Sequence, residues 1–384
     1  MQPLLQSIVL QNILSFKNSS IELQPLNVLI GPNAVGKSNL IEAVGLLRAA
    51  ARNRAEPFLQ GGVRSWLNWA ARPPLAATLE CTISGKDDMT YRYSFAFTEI
   101  QNSLLVRTEH LECLGPASPR ILLERSDTQY KLGDLSSAGQ VLTASVQPSE
   151  FALGLIRHPS EQEIPFISQR VGSVAIYREF STVPNTISGA RYGASTNLTG
   201  HQLSDDGQNL ALVLNEMHRT GTLENIRAPL RRFCERFQDI RVGIQQAIAL
   251  TYLVEDGIVE PLPAVRISDG TLRFLCLLAV LMHPDPPPVI CIEEPEIGLH
   301  PDALRLVAEL LIEASQRMQV IVTTHSEALV DALSAKPETV VVCERDAENS
   351  TQFQRLSRKD LEAWLEKYRL GELWRMGEIG GNRW

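Results

Sequence analysis

Leu26-Asn27-Val28-Leu29-Ile30-Gly31-Pro32-Asn33-Ala34-Val35-Gly36-Lys37-Ser38-Asn39 is the stretch on which the fold turns. Leu26 to Ile30 is an apolar run of the kind found in strands buried on both faces. From Ser38 to Arg54 the apolar residues Leu40, Ile41, Val44, Leu47 and Ala51 recur at helical spacing. The eight residues Gly31 to Ser38 join the two elements and satisfy GxxxxGK[ST], in the strand-loop-helix setting that motif requires. Gly31 and Gly36 let the backbone wrap so that its N–H groups point at an anion, and the helix start adds its positive end. Lys37 supplies a charge toward the β- and γ-phosphates of a nucleotide, and the Ser38 hydroxyl suits Mg2+. Pro32, Asn33, Ala34, Val35 and Asn39 complete the nucleotide-binding set.

A second α/β segment begins near residue 260. Ser268 to Met282 reads as a helix, Val289 to Ile292 as a buried strand, Pro301 to Gln316 as a helix and Val320 to Thr323 as a strand. Ser326 to Leu333 follows as a helix and Thr339 to Cys343 as a strand. The two segments are expected to form one sheet together. The strand Val289-Ile290-Cys291-Ile292 runs into Glu293-Glu294-Pro295-Glu296. A carboxylate at a strand end can hold magnesium, a role given to Glu293, and its neighbour Glu294 can polarise an attacking water. His325 closes the following strand, where an imidazole can hydrogen-bond a γ-phosphate or that water. Ser268-Asp269-Gly270 starts the long apolar helix. Ser268 or Asp269 can cap it, and the same N-terminus is an anion site involving Ser268 and Gly270.

Between these segments the pattern changes. Residues 77–83 and 91–97 alternate as in antiparallel strands, with a turn at Lys86-Asp87-Asp88, and helices are expected at about 204–219 and 223–238. The chain of 384 residues is 44% apolar and 21% charged, which excludes a disordered chain. Its net charge of -8 is uneven: residues 281–350 hold 13 acidic and 4 basic residues of the chain's 44 and 36. A uniformly basic nucleic-acid binder is excluded, whereas a local basic surface is not. The six cysteines form no CxxC pair and are expected as free thiols. The N-terminus has no signal-peptide pattern and the longest apolar run, Leu275 to Met282, is far short of a membrane span, so a cytoplasmic location without membrane contact is expected.

These elements, in this order, resemble the ABC-type ATPases, and more closely the RecF/SMC/Rad50-like branch and the AAA_21 "predicted ATPases" related to the ATPase part of OLD nucleases. Gly31 to Ser38 resembles Walker A, Ser268 to Arg273 the signature, Ile290 to Glu296 Walker B, Gly298 to Pro301 the D-loop and Thr323 to Ser326 the switch-histidine loop. The C-terminal run from Gly371 to Trp374 and from Gly380 to Trp384 resembles the tail of a standalone subgroup. The resemblance implies an α/β P-loop ABC-ATPase head, a mixed sheet flanked by helices, with an antiparallel β meander and a helical insertion. Residues 1–60 and 260–384 would form the split core, 61–135 the β subdomain and 136–259 the mixed insertion. It also implies ATP and Mg2+ as cofactors, with Glu294, His325 and Lys37 catalytic and Ser38 and Glu293 on the metal. A homodimer or higher oligomer would sandwich ATP head-to-tail, with Ser268 and Gly270 acting in trans. The sequence departs from the family at Asp269, which replaces a signature glycine, and at Glu293, where aspartate is usual. Gln60, Gln101 and Gln169 all remain candidates for the Q-loop glutamine.

The resemblance further implies a molecular switch that gates a nucleic-acid or effector partner, in DNA maintenance or anti-phage defence. A separate nuclease-type protein, such as a TOPRIM nuclease, is the expected effector. Glu344-Arg345-Asp346 superficially resembles the start of such a domain, but no DxD follows, so no resident nuclease is expected. Two other readings stand beside this one: a low-turnover nucleotide-binding scaffold, and a transport ABC subunit, against which the long β-rich insertion speaks. Arg227, Arg231 and Arg232 lie in the densest basic stretch and are either a solvated helix face or a phosphate-backbone contact.

Overall fold

The computed structural model describes residues 2–59, 61–68, 76–115, 118–133, 135, 141–156, 162–180, 194–195, 199–245 and 248–381. The chain divides into two compact units. The first comprises Met1–Val174, Pro337–Trp364 and Leu373–Trp384, the second Ala175–Lys336 and Leu365–Glu372.

In the first unit, Leu26–Ile30 is buried at every residue and pairs in parallel with Val340–Arg345, Val28 opposite Val340. Thr351–Arg355 returns antiparallel to that strand. The phosphate loop leads from Leu26–Ile30 into the helix Lys37–Ala51, whose buried face includes Leu40, Ile41, Val44 and Leu47, as the spacing requires. The alternating middle of the sequence forms an antiparallel sheet of eight strands. Their order is Phe16–Glu22, Leu5–Ile13, Ala77–Ser84, Thr90–Ile100, Ser103–Cys113, Arg120–Ser126, Gln129–Leu132 and Leu142–Ser145. The two N-terminal strands thus extend the meander, Leu5–Ile13 pairing with Ala77–Ser84. Lys86-Asp87-Asp88 turns the chain as expected, with Asp87 and Asp88 at positive φ.

A fully buried polar network ties the meander to the chain beyond it. The Arg125 and Glu109 side chains are both inaccessible to solvent and bond at 2.8 Å. Glu109 also accepts from the Tyr93 hydroxyl at 2.8 Å and from the amides of Ala152 and Leu153 at 2.6 and 3.2 Å. Arg125 also donates to the carbonyls of Asp127, Gln147, Pro148 and Glu150. Each charge therefore has partners, the condition under which a buried ion pair is tolerated.

In the second unit, Ala175–Tyr177, Val289–Glu293 and Gln319–Thr323 run in parallel, with Cys291 opposite Ile176 and Ile321. The helices Asp269–Leu281 and Pro301–Ala314 accompany them. A separate antiparallel sheet is built on Phe237–Gln245 and Ile248–Glu255. The expected helix at 204–219 begins only at Leu210, because Asn209 and Asp206 bond the backbone of the preceding turn and Gly207 has φ +75°. The expected helix at 223–238 ends at Phe233, because Cys234 is extended and Phe237 enters strand pairing. All six cysteines are free, five of them buried. Among the described residues no helix is long and apolar enough to cross a membrane.

Leaving one member of a buried ion pair without the other costs about 3–5 kcal/mol. Arg125→Met should therefore lower the stability of the chain by about that amount in urea denaturation. A loss below about 1 kcal/mol would show that the network does not anchor the sheet.

Candidate nucleotide-binding site

The phosphate loop depends on two missing side chains. Gly31 has φ +144°, and a Cβ there would lie 2.4 Å from the Cys343 carbonyl oxygen. Gly36 has φ +114°, and a Cβ there would lie 2.4 Å from both the Ser15 and the Thr351 hydroxyls. Only glycine combines that backbone with that approach. The loop is then tied down residue by residue. Arg345 donates to the Ala34 carbonyl at 2.6 Å, and the Thr351 hydroxyl donates to the Val35 carbonyl. The Ser15 and Thr351 hydroxyls are bonded to each other at 2.7 Å, and Ser15 accepts from the Asn39 amide at 2.8 Å. The tail joins in: Gly381 donates to Glu344 at 2.7 Å, accepts from the Trp374 indole at 3.2 Å, and a Cβ on it would lie 3.3 Å from the Gly31 Cα.

Lys37 is buried, and its ammonium donates to the carbonyls of Gly31 and Pro32 at 2.9 and 2.8 Å. Burial pushes the Cys343 thiol up to about 12 despite the Lys37 charge, so it stays neutral beside the loop. Ser38 and Asn33 are exposed. No side chain among the described residues caps the helix Lys37–Ala51, whose N-terminal residue Gly36 is left-handed. An uncapped helix start behind a glycine cradle suits a phosphate group.

The second unit gathers the acidic residues and the histidine. Glu293 ends its strand opposite Thr323, and Arg178 approaches it at 3.3 Å. Glu294 sits at φ +46°, a conformation that costs a non-glycine residue energy and that clusters at functional sites. Its amide donates to the Thr323 carbonyl at 2.9 Å, and its carboxylate lies 3.7 Å from His325 Nε2. Glu296, which the sequence reading passed over as part of the acidic turn, holds the arrangement. Its Oε1 accepts from the Thr324 hydroxyl and the His325 amide, both at 2.7 Å. Its Oε2 and the Thr323 hydroxyl are buried with no partner among the described residues. The only sequence signal for Glu296 was a third carboxylate just past the strand end. Among the described residues no group of three or more His, Cys, Asp or Glu is arranged to hold a metal alone. Magnesium characteristically uses one or two carboxylates together with phosphates and water.

Ser268 caps the helix Asp269–Leu281, accepting from the Thr271 amide at 3.2 Å. Gly270 packs on Gly298, where a Cβ would lie 2.4 Å from the carbonyl oxygen, so the Ser268 to Gly270 and Gly298 to Pro301 segments touch. Gln101 lies in a hairpin turn at φ +51°, Gln169 is exposed on the helix Glu163–Gly172, and Gln60 lies outside the described residues. The three candidate arginines each meet a carboxylate: Arg227 meets Asp239 at 2.6 Å, Arg231 meets Glu224 at 2.8 Å and Arg232 meets Glu309 at 2.6 Å.

The fold and the phosphate loop define an ABC-type P-loop ATPase of the RecF/SMC kind. The chain belongs to the AAA_21 family, described as "AAA domain, putative AbiEii toxin, Type IV TA system", whose model matches residues 26–331. It is 47% identical over 51 residues to the DNA replication and repair protein RecF of Listeria welshimeri and of Listeria monocytogenes. That match covers 13% of this chain and 14% of the curated relatives' length. Among solved structures it is similar to an Smc head bound to the C-winged helix domain of ScpA, at 12% identity and TM-score 0.53, over 93% of this chain and 99% of that one. It is also similar to an Smc head with an extended coiled coil bound to the C-terminal domain of ScpA, from Pyrococcus furiosus, at 11% identity and TM-score 0.54, over 95% and 99%. At that identity the likeness is one of fold.

Burial raises the Glu296 carboxyl above its ordinary 4.5, while the His325 amide and Thr324 hydroxyl pull it down. A raised carboxyl stabilises the fold fully below 4.5, and that contribution is lost as pH rises through the folded value. Glu296→Gln keeps an acceptor for Thr324 and His325 and cannot ionise. Its stability relative to the parent chain should therefore rise between pH 4 and 7, measured by urea denaturation at each pH, whereas a difference independent of pH contradicts the assignment.

Proposed function

We propose that the protein binds and hydrolyses ATP with magnesium and acts as a switch that pairs head-to-tail with a second copy to gate an effector protein. The observation that carries this reading is Glu294, held at a strained φ of +46° beside His325 at the end of a buried strand. A chain that only needed to hold a nucleotide has no use for a strained carboxylate in that position. In this reading the amides of the loop Gly31 to Ser38 and the Lys37 ammonium hold the phosphates. Ser38 and Glu293 would hold magnesium, which would supply charge neutralisation toward the phosphates. Glu294 takes a proton from the attacking water, and His325 donates a hydrogen bond to the γ-phosphate side of the reaction. Glu296 fixes His325 through its backbone amide.

Ser268 and Gly270 complete the partner's site in trans. The hydroxyl of Ser268 is held at the start of a helix and Gly270 presents backbone without a side chain, a combination suited to a γ-phosphate. For the gated partner, an effector protein is favoured over direct nucleic-acid contact. Arg227, Arg231 and Arg232 are each matched by a carboxylate, which reduces the charge available to phosphates. A cytoplasmic setting and a role in DNA maintenance or anti-phage defence fit the family and remain part of the proposal.

Removing a general base costs about 10²–10⁴-fold in rate. Glu294→Gln should therefore slow ATP turnover by about that factor while keeping ATP bound and raising the dimer fraction in analytical ultracentrifugation. Lys37→Ala should lose ATP binding in calorimetry. Unchanged turnover in Glu294→Gln removes Glu294 from the role of base.

A further inference from the structure

We propose that Arg178 is a resident counter-cation for Glu293 that a divalent metal must displace, so that this arginine sets how strongly the site depends on the metal. The inference rests on the reading of Glu293 as the metal carboxylate. Arg178 directly follows the short strand Ala175–Tyr177, which pairs in parallel with the acidic strand, Tyr177 opposite Ile292. The register therefore carries Arg178 to the level of Glu293, and Arg178 Nε lies 3.3 Å from Glu293 Oε1. The guanidinium and the carboxylate attract each other until another cation competes for Glu293.

The two partners differ in freedom. The Glu293 side chain is 17% exposed and fixed at a strand end, whereas the Arg178 side chain is 48% exposed at the start of a loop. When a divalent cation arrives, Arg178 is the group that can move. A cavity of about 290 Å³ opens beside the pair, lined by Arg178, Glu179, Arg273, Glu293 and Glu294 among others. Glu179 and Glu294 offer carboxylates to the displaced guanidinium. Arg273, by contrast, approaches Glu179 at 3.7 Å and the Ile297 carbonyl at 3.5 Å. A metal and a guanidinium of like sign cannot share one carboxylate without mutual repulsion. The metal therefore binds against the cost of releasing Arg178.

The test is a Mn2+ titration of the full chain with AMP-PNP, followed by electron paramagnetic resonance. A half-exposed ion pair corresponds to about a 1.5-fold to fivefold change in affinity. Arg178→Ala and the bulkier Arg178→Gln should tighten Mn2+ by about that factor, and Arg178→Lys should stay near the parent value. Mn2+ affinity unchanged or weakened in both Arg178→Ala and Arg178→Gln overturns the inference. Glu293→Gln separates the two levels. If it weakens Mn2+ while the Arg178 variants match the parent chain, the inference alone fails. If it leaves Mn2+ binding unchanged, the reading of Glu293 as metal carboxylate fails, and the inference with it.

Discussion

The absence of a Cβ at Gly31 and Gly36 is the constraint around which the first unit is built. At both positions the neighbouring atom stands 2.4 Å from where that carbon would be. The neighbours are themselves held: the Cys343 carbonyl belongs to the strand paired with Leu26–Ile30, and Ser15 and Thr351 bond each other. The loop is therefore pressed between a strand end and a pair of hydroxyls, and its shape is set before any phosphate arrives. Such preorganisation lowers the cost of binding, because the backbone has little conformational freedom left to lose.

The second unit applies the same logic with charge. Glu294 is bent into a left-handed conformation by its bond to Thr323, and Glu296 fastens the chain on the other side by accepting from Thr324 and His325. Three carboxylates within four residues repel one another, and the structure separates their fates. Glu293 is paired with Arg178, Glu294 faces His325, and Glu296 is half-buried with its proton affinity raised. Each can then take a different task.

Much of this was legible in the sequence, for reasons that can be traced to particular residues. The apolar runs at Leu26–Ile30 and Val289–Ile292 permit little except buried strands, and the glycine spacing between Gly31 and Gly36 has a single mechanical purpose. The supporting residues were not legible. Ser15, Arg345 and Thr351 are ordinary polar residues more than 300 positions apart in part, and they meet the loop only because of strand pairing. Arg178 gave no signal either, since its relation to Glu293 is a matter of register between strands more than 100 residues apart. The helix expected at 204–219 was overestimated because Asn209 and Asp206 compete for backbone hydrogen bonds that a helical pattern assigns to the helix.

The central claim is that two copies cooperate on each nucleotide, one giving the phosphate loop and the other the Ser268 segment. It is tested most directly by mixing two separately inactive variants, Lys37→Ala and Ser268→Arg, and measuring ATP turnover. In an equimolar mixture of a two-fold dimer, half the dimers are mixed and each carries one intact site, so turnover should return to about a quarter of the parent rate. A mixture as inactive as its components would contradict the account.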